Sequence, residues 1–252
     1  LGNSMETGAG LEGVTDFMDA RVPGSVYADL LRNGVIEDPY FELNSLKCEW
    51  VANRWWIYKT TVLLRDELFN GGGIYLVFKG IDYRARVYFN GKFCARHEGM
   101  FRELRIDAAG LARPGAENEI SVIIENAPEE YAQIGYTSRT GTQKARFGYK
   151  WDFSTRLVNL GLYDDVLIEY DRGARICERS VISGETVRVS LTTEGRERSN
   201  LRVRASLSIG KETVWQKEFD EADDTGKFEF EVKIKKPKRW YPNGYGLQPL
   251  YD

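Results

Sequence analysis

Histidine is almost missing from this 252-residue sequence: His97 is the single one. Any mechanism built on Ser-His-Asp, Cys-His or a histidine-rich metal cluster must pass through that side chain. Its charged neighbours Arg96 and Glu98 point to a surface histidine at a strand end. Cysteine is nearly as scarce. Cys48, Cys94 and Cys177 are odd in number, far apart and form no CxxC pair, so neither a disulfide framework nor a zinc site is indicated. Three buried free thiols are expected, and no metal or cofactor. There is no excess of positive charge either. Lys+Arg 35 against Asp+Glu 38 gives −3, which excludes the strong electrostatic footprint of a nucleic-acid binder. No apolar run approaches the roughly 20 residues of a membrane helix, and residues 1–5 lack a basic segment leading into an apolar one. Neither leader nor membrane segment is read, and a cytoplasmic protein is the expectation.

What is present is strand. Trp56–Leu63, Ile74–Phe78, Ala85–Phe89, Glu119–Ile124 and Asp165–Glu169 are short, rich in β-branched or aromatic residues, and bounded by Gly, Pro, Asn or Asp. That is the pattern of an all-β sandwich. Asn90-Gly91 predicts a tight hairpin, because a type I′ turn needs positive φ at both central residues. Pro114-Gly115 predicts a turn into the strand that begins around Asn118-Glu119. One helix is predicted, Ser25–Arg32, with Ser25 as N-cap and Asn33-Gly34 as its stop. Gly71-Gly72-Gly73 has no following Lys-Ser/Thr and precedes a strand, so it reads as a turn and not as a phosphate loop.

A boundary falls near Asp171-Arg172-Gly173. Up to residue 171 there are 19 basic and 25 acidic residues, and after it 16 and 13, so the charge changes from −6 to +3. Beyond it, Val187–Leu191, Leu201–Leu207 and Phe228–Ile234 alternate apolar with charged residues, as half-buried antiparallel strands do. Two domains are therefore expected, 1–171 and 172–252.

Candidate chemistry concentrates in the long segment Ala127–Thr155, which has little alternation but several aromatics. Trp151-Asp152-Phe153 followed by Arg156 joins a carboxylate, ring faces and a guanidinium. Sugar recognition uses such groups: the carboxylate accepts from hydroxyls and a ring covers the C–H face of a pyranose. The residues alone equally allow Trp151 and Phe153 to pack under the loop while Asp152 and Arg156 pair with each other. No pair of carboxylates for glycoside hydrolysis stands out. Asp164-Asp165 reads as a solvated turn.

Taken in order, several motifs resemble one family. They are Val22–Leu31, Gly34–Tyr40 and Trp55–Tyr58, then Lys79-Gly80-Ile81-Asp82 with Asn90-Gly91, then Phe147–Val158 and Trp240–Gly246 with Gln248–Tyr251. Together they look like the front of a glycoside hydrolase family 2 enzyme of the β-mannosidase type. The resemblance implies a galactose-binding-like jelly-roll sandwich followed by a partial immunoglobulin-like β-sandwich. It also implies a retaining exo-glycosidase whose two glutamates sit on a (β/α)₈ barrel downstream of this chain. The 252 residues then hold no catalytic residue, and their partners are that barrel and a β-mannoside or related glycoside. By position, Asp152, Trp151 and Arg156 correspond to substrate-binding residues. Ser154-Thr155 and Lys150 depart from the family pattern. The resemblance further suggests that 131–150 packs loosely without the barrel. A free-standing carbohydrate-binding module, or another family 2 activity such as β-galactosidase or β-glucuronidase, are the alternatives.

Overall fold

The computed structural model describes residues 16–69, 73–130, 140–170, 175–194, 202–220 and 227–252, and these fall into two compact units that divide after Tyr170. Gly71 and Gly72 of the tri-glycine turn, and residues 131–139 of the long loop, lie outside the described residues.

In the larger unit, helix α1 (Val26–Arg32) starts where the Ser25 hydroxyl accepts from the Ala28 amide at 3.3 Å and stops at Asn33, with Gly34 at φ 70°. A short helix α2 (Asn44–Lys47) and a 3₁₀ turn (Glu49–Asn53) follow, which the sequence reading did not anticipate. Neither carries a side-chain N-cap, so the signal that marked α1 is lacking.

Among the described residues the unit has nine strands: β1 (Trp56–Leu63), β2 (Ile74–Phe78), β3 (Ile81–Asp82), β4 (Arg84–Phe89), β5 (Lys92–Glu98), β6 (Leu104–Asp107), β7 (Glu117–Ile124), β8 (Gly161–Leu162) and β9 (Val166–Tyr170). All pairings are antiparallel, giving sheets of order β1-β7-β4-β5 and β6-β2-β9 and the small pair β3-β8. The β4–β5 hairpin turns at Asn90 (φ 51°) and Gly91 (φ 75°), the two positive φ values that Asn-Gly accommodates. Alternation directs the packing. Ala85, Val87 and Phe89 on β4 and Ile120, Val122 and Ile124 on β7 point inward and share one core with Ile74, Leu76 and Phe78 of β2. The architecture is an all-β sandwich, as expected.

His97 corrects the sequence reading. It lies on β5 opposite Ala85, a core position, and is only 6% exposed. Its Nε2 sits 2.7 Å from the Gly99 carbonyl, to which it donates in the neutral ring. Burial holds its pKa below the ordinary 6.5, and Arg102 works in the same direction against the Gly99 hydrogen bond. A folded-state pKa below the unfolded one stabilises above about pH 6.5 and loses that contribution as pH falls through the folded value. The stability difference between wild type and His97→Asn should therefore narrow from pH 7.5 to 5 in urea titrations. A constant difference would show that the ring has the same pKa folded and unfolded, against the shift that its burial implies.

The thiols are also less uniform than expected. Cys48 is buried, whereas Cys94 and Cys177 are half-buried, and no disulfide joins them.

The smaller unit holds β10 (Arg175–Ser183), β11 (Thr186–Glu194), β12 (Val203–Ile209), β13 (Glu212–Phe219) and β14 (Lys227–Lys233). Sheet β10-β11-β14 and hairpin β12-β13 are both antiparallel. Their core is Leu191, Val203 and Phe228, extended by Val189, Phe219 and Phe230, with the Phe219 and Phe230 rings stacked at 5.0 Å. Tyr251 bridges to Ile209 on β12. No helix among the described residues is long and apolar enough to cross a membrane.

Candidate sugar-contact loop

The segment that carries Trp151, Asp152 and Arg156 runs irregularly from residue 140 to 160, broken by one 3₁₀ turn, Phe147–Tyr149. Its base is polar. The ammonium of Lys144, 5% exposed, is ion-paired to Asp82 Oδ1 on β3 and donates to the Asn159 carbonyl at 2.6 Å. Asp82 is 1% exposed, and its Oδ2 has no hydrogen-bond partner among the described residues. Burial pushes the Asp82 carboxyl above its ordinary value while Lys144 pulls it down; burial likewise lowers the Lys144 ammonium against the pull of Asp82.

Tyr149 forms the middle of the loop. It is 2% exposed, donates to the Pro128 carbonyl at 2.7 Å, and lies under two guanidinium groups, Arg146 at 5.6 Å and Arg156 at 5.7 Å from the ring centre. Arg146 is fixed in turn by Thr142 and by Glu130 at 3.7 Å. Gly148 is needed here, because a Cβ at that position would lie 2.7 Å from the Leu157 carbonyl, where the two arms of the loop approach. The Leu157 amide donates to the Gly148 carbonyl at 2.9 Å across the same gap. These contacts correct the expectation of loose packing for residues 140–150, since Lys144 and Tyr149 are buried within the unit itself.

At the tip the Trp151 amide donates to the Ser154 carbonyl at 3.1 Å, and the Phe153 amide to Asp152 Oδ1 at 3.0 Å. Trp151 is half-buried and meets Phe153 edge to face, with centroids 6.4 Å apart. Asp152 is exposed and Phe153 is 78% exposed. The sequence pattern allowed Asp152 to pair with Arg156 over packed rings; instead, Arg156 reaches Glu49 at 3.8 Å, and Phe153 stands in solvent. The structure thus brings Trp151 and Asp152 together at a tip and sets Arg156 on Tyr149. The carboxylate is free to accept from hydroxyls, beside a ring edge. Two clefts in this unit lie elsewhere. One of about 460 Å3 is walled by Trp50, Trp56 and Tyr58, and the other, of about 900 Å3, runs along β1 and β9; neither is lined by Trp151, Asp152 or Arg156. Among the described residues no group of three or more His, Cys, Asp or Glu is placed to hold a metal.

Lys144, Asp82 and Tyr149 were not singled out as functional from the sequence. A signal existed in Asp82, a carboxylate between Ile81 and Tyr83 at a strand where apolar residues belong, since buried charges are normally paired.

Known proteins resemble this chain over most of its length. The β-mannosidase B of Emericella nidulans is 25% identical over 92% of this chain, and that of Neosartorya fischeri 27% over the same share. The chain spans 29% of the length of each. The crystal structure of the β-D-mannosidase from Dictyoglomus thermophilum superposes with a TM-score of 0.77 at 30% identity, covering 94% of this chain and 32% of that one. A β-glucuronidase from Ruminococcus gnavus shares the fold, with a TM-score of 0.61 at 22% identity, over 98% of this chain and 38% of its own. Residues 5–164 match the family described as glycosyl hydrolase 2 galactose-binding domain-like, and the chain belongs to that family.

Proposed function

We propose that these residues are the N-terminal, non-catalytic part of a retaining exo-acting β-mannosidase, in which residues 1–171 form a sugar-binding-like jelly roll and 172–252 an immunoglobulin-like domain. The observation that carries the reading is the likeness to a β-mannosidase at 30% identity over 94% of the chain, against only about a third of that enzyme's length. The two glutamates of such an enzyme, one protonating the leaving oxygen and one attacking the anomeric carbon, belong to the part not present here.

In this reading Asp152 enters the pocket of the terminal sugar from the side, accepting hydrogen bonds from its hydroxyls, and Trp151 covers a C–H face. Arg156, held on Tyr149 and near Glu49, is the third sugar contact in this reading. An exo-acting pocket must close around one sugar, and a loop from a neighbouring domain walls off water. Phosphate-binding, nucleic-acid and metal chemistry have no counterpart in the proposal.

The test has two arms. The 252-residue chain alone should not turn over 4-nitrophenyl β-D-mannoside. In the complete enzyme encoded by the same gene, Asp152→Ala should lower kcat/KM about 100-fold, mostly in kcat, because hydroxyl contacts tighten as the sugar ring distorts toward the transition state. Turnover by the short chain, or an Asp152→Ala enzyme with wild-type kcat/KM, overturns the reading. The exposed Phe153 ring favours one second reading, a free-standing carbohydrate-binding module. Calorimetry with mannose separates the two, since such a module binds at micromolar to millimolar levels, roughly −8 to −4 kcal/mol, and a detached wall of a pocket does not.

A further inference from the structure

We propose that Lys144 is a positioning residue for the Asp152 tip: its ammonium fastens both ends of the 144–159 segment to the β3 carboxylate Asp82, and so fixes where the tip stands. This rests on the sugar-contact reading for its purpose, but not for its geometry.

The geometry is a three-level stem. At the base, Lys144 supplies the side chain at one end of the segment, and the carbonyl it bonds at 2.6 Å belongs to Asn159 at the other. Asp82, which holds the same ammonium, pairs through its backbone with Gly161, two residues beyond Asn159. One charge therefore closes the segment and ties it to the β3-β8 pair. Above it, the Gly148 and Leu157 backbones bond to each other, and at the tip Trp151 bonds to Ser154. Tyr149 and Val158 anchor one arm each in the core, with Leu157 packed against it, but between them no residue of 150–157 is buried, and Phe147 is 61% and Phe153 78% exposed. Fixing a backbone residue costs about 1–2 kcal/mol in lost entropy, so the tip between these two anchors depends on the polar ties that close its stem.

A buried ion pair is an unpromising way to gain stability alone, because well-packed apolar side chains in its place are often as stable or more so. Directionality distinguishes it. An apolar pair tolerates sliding, whereas the Lys144 ammonium has a carboxylate and a carbonyl to satisfy and only one place from which to reach both. Asp82 and Lys144 are the pair of opposite charges in which both partners are almost wholly buried among the described residues.

The experiment compares wild type with Lys144→Met and with the double variant Asp82→Leu/Lys144→Met, which leaves no buried charge unpaired and keeps the test valid if the single variant does not fold. Hydrogen exchange should accelerate about tenfold or more at the Tyr149, Trp151 and Leu157 amides of the double variant, while amides in β2, β4 and β7 change less than about twofold. In protein labelled with 5-fluorotryptophan, the Trp151 resonance, identified with Trp151→Phe, should narrow and move toward the unfolded position while the resonances of Trp50, Trp55 and Trp56 stay. Loop amides that keep their wild-type rates overturn the proposal. So do loop and strand amides that accelerate by the same factor, since Lys144 would then be a general stabiliser. Asp152→Ala should leave the loop readouts unchanged, so the clamp stands or falls independently of the turnover assay that tests the sugar contact.

Discussion

Lys144→Met alone should destabilise the larger unit by about 3–5 kcal/mol, the range found when one partner of a buried ion pair is removed. The cause is what remains. Asp82 is 1% exposed, already has one oxygen without a hydrogen-bond partner among the described residues, and would lose the ion-paired partner of the other. The double variant Asp82→Leu/Lys144→Met should recover nearly all of the loss in global unfolding, because the Asn159 carbonyl that loses its donor lies on the loosened segment, where water reaches it. The pH dependence identifies the mechanism. Burial holds the Asp82 pKa above its ordinary 3.8 even with Lys144 present, and removing the ammonium raises it further. A carboxyl whose folded pKa lies above the unfolded value stabilises below the unfolded pKa and loses that contribution as pH rises through the folded one. The deficit of Lys144→Met should therefore be larger at pH 7.5 than at pH 5, where the stranded carboxyl takes up a proton. Urea midpoints of the two variants at both pH values decide it. Equal loss in single and double variants, with no pH dependence, would mean that packing volume and not charge is what matters at this site.

The same pair shows where a sequence reading ends. Asp82 and Lys144 are 62 residues apart, and Glu49 and Arg156 are 107 apart; no local spacing announces either contact. Local devices were legible. Ser25 capped the helix it was assigned to, Asn90-Gly91 turned the hairpin, and the alternating apolar residues of β4 and β7 became the core, because each depends on φ preference, one hydrogen bond or period-two alternation. His97 was misplaced because a β-bulge, which no local signal announces, shifts the register of its strand. Counted straight across the hairpin from Asn90-Gly91, Arg96 would face Ala85; the bulge at Cys94 shifts the register by one, so that His97 stands opposite Ala85 on the inward face while Arg96 and Glu98 are exposed. The sequence nominates Trp151 and Asp152 as candidates but not their support on Lys144 and Tyr149, since that is made by contacts to β3 and Pro128 that only the folded chain brings near.

Asn118→Ala should cost about 2–4 kcal/mol, more than any other single amide in the larger unit, although the residue reads as an ordinary entry into a strand. Asn118 is 0% exposed and makes four hydrogen bonds. Its Oδ1 accepts from the Arg113 amide and from Asn90 Nδ2, both at 2.8 Å, and its Nδ2 donates to the Arg113 and Ala116 carbonyls, both at 2.9 Å. That is the whole capacity of the side chain, spent on joining the turn before β7 to the β4–β5 hairpin. Asn90 completes the connection through the Leu111 carbonyl and the Glu119 amide. Removing Asn118 strands buried groups on both turns, and each unsatisfied one costs about 1–3 kcal/mol, reduced where a partner keeps another bond. The Ala116 carbonyl keeps one from Leu64, and Asn90 keeps Leu111, which is why the total stays below the sum of four. Asn118→Asp should be nearly as harmful, since it retains the acceptors but loses both donors and buries a charge. The neighbouring Glu119→Ala is the control. Its carboxylate is partly exposed and paired with Lys59 at 2.7 Å, an interaction worth less than about 1 kcal/mol at a surface. Urea denaturation of the three variants should place Asn118→Ala and Asn118→Asp well below wild type and Glu119→Ala close to it. If Asn118→Ala unfolds no more easily than Glu119→Ala, the amide is not what joins the two turns.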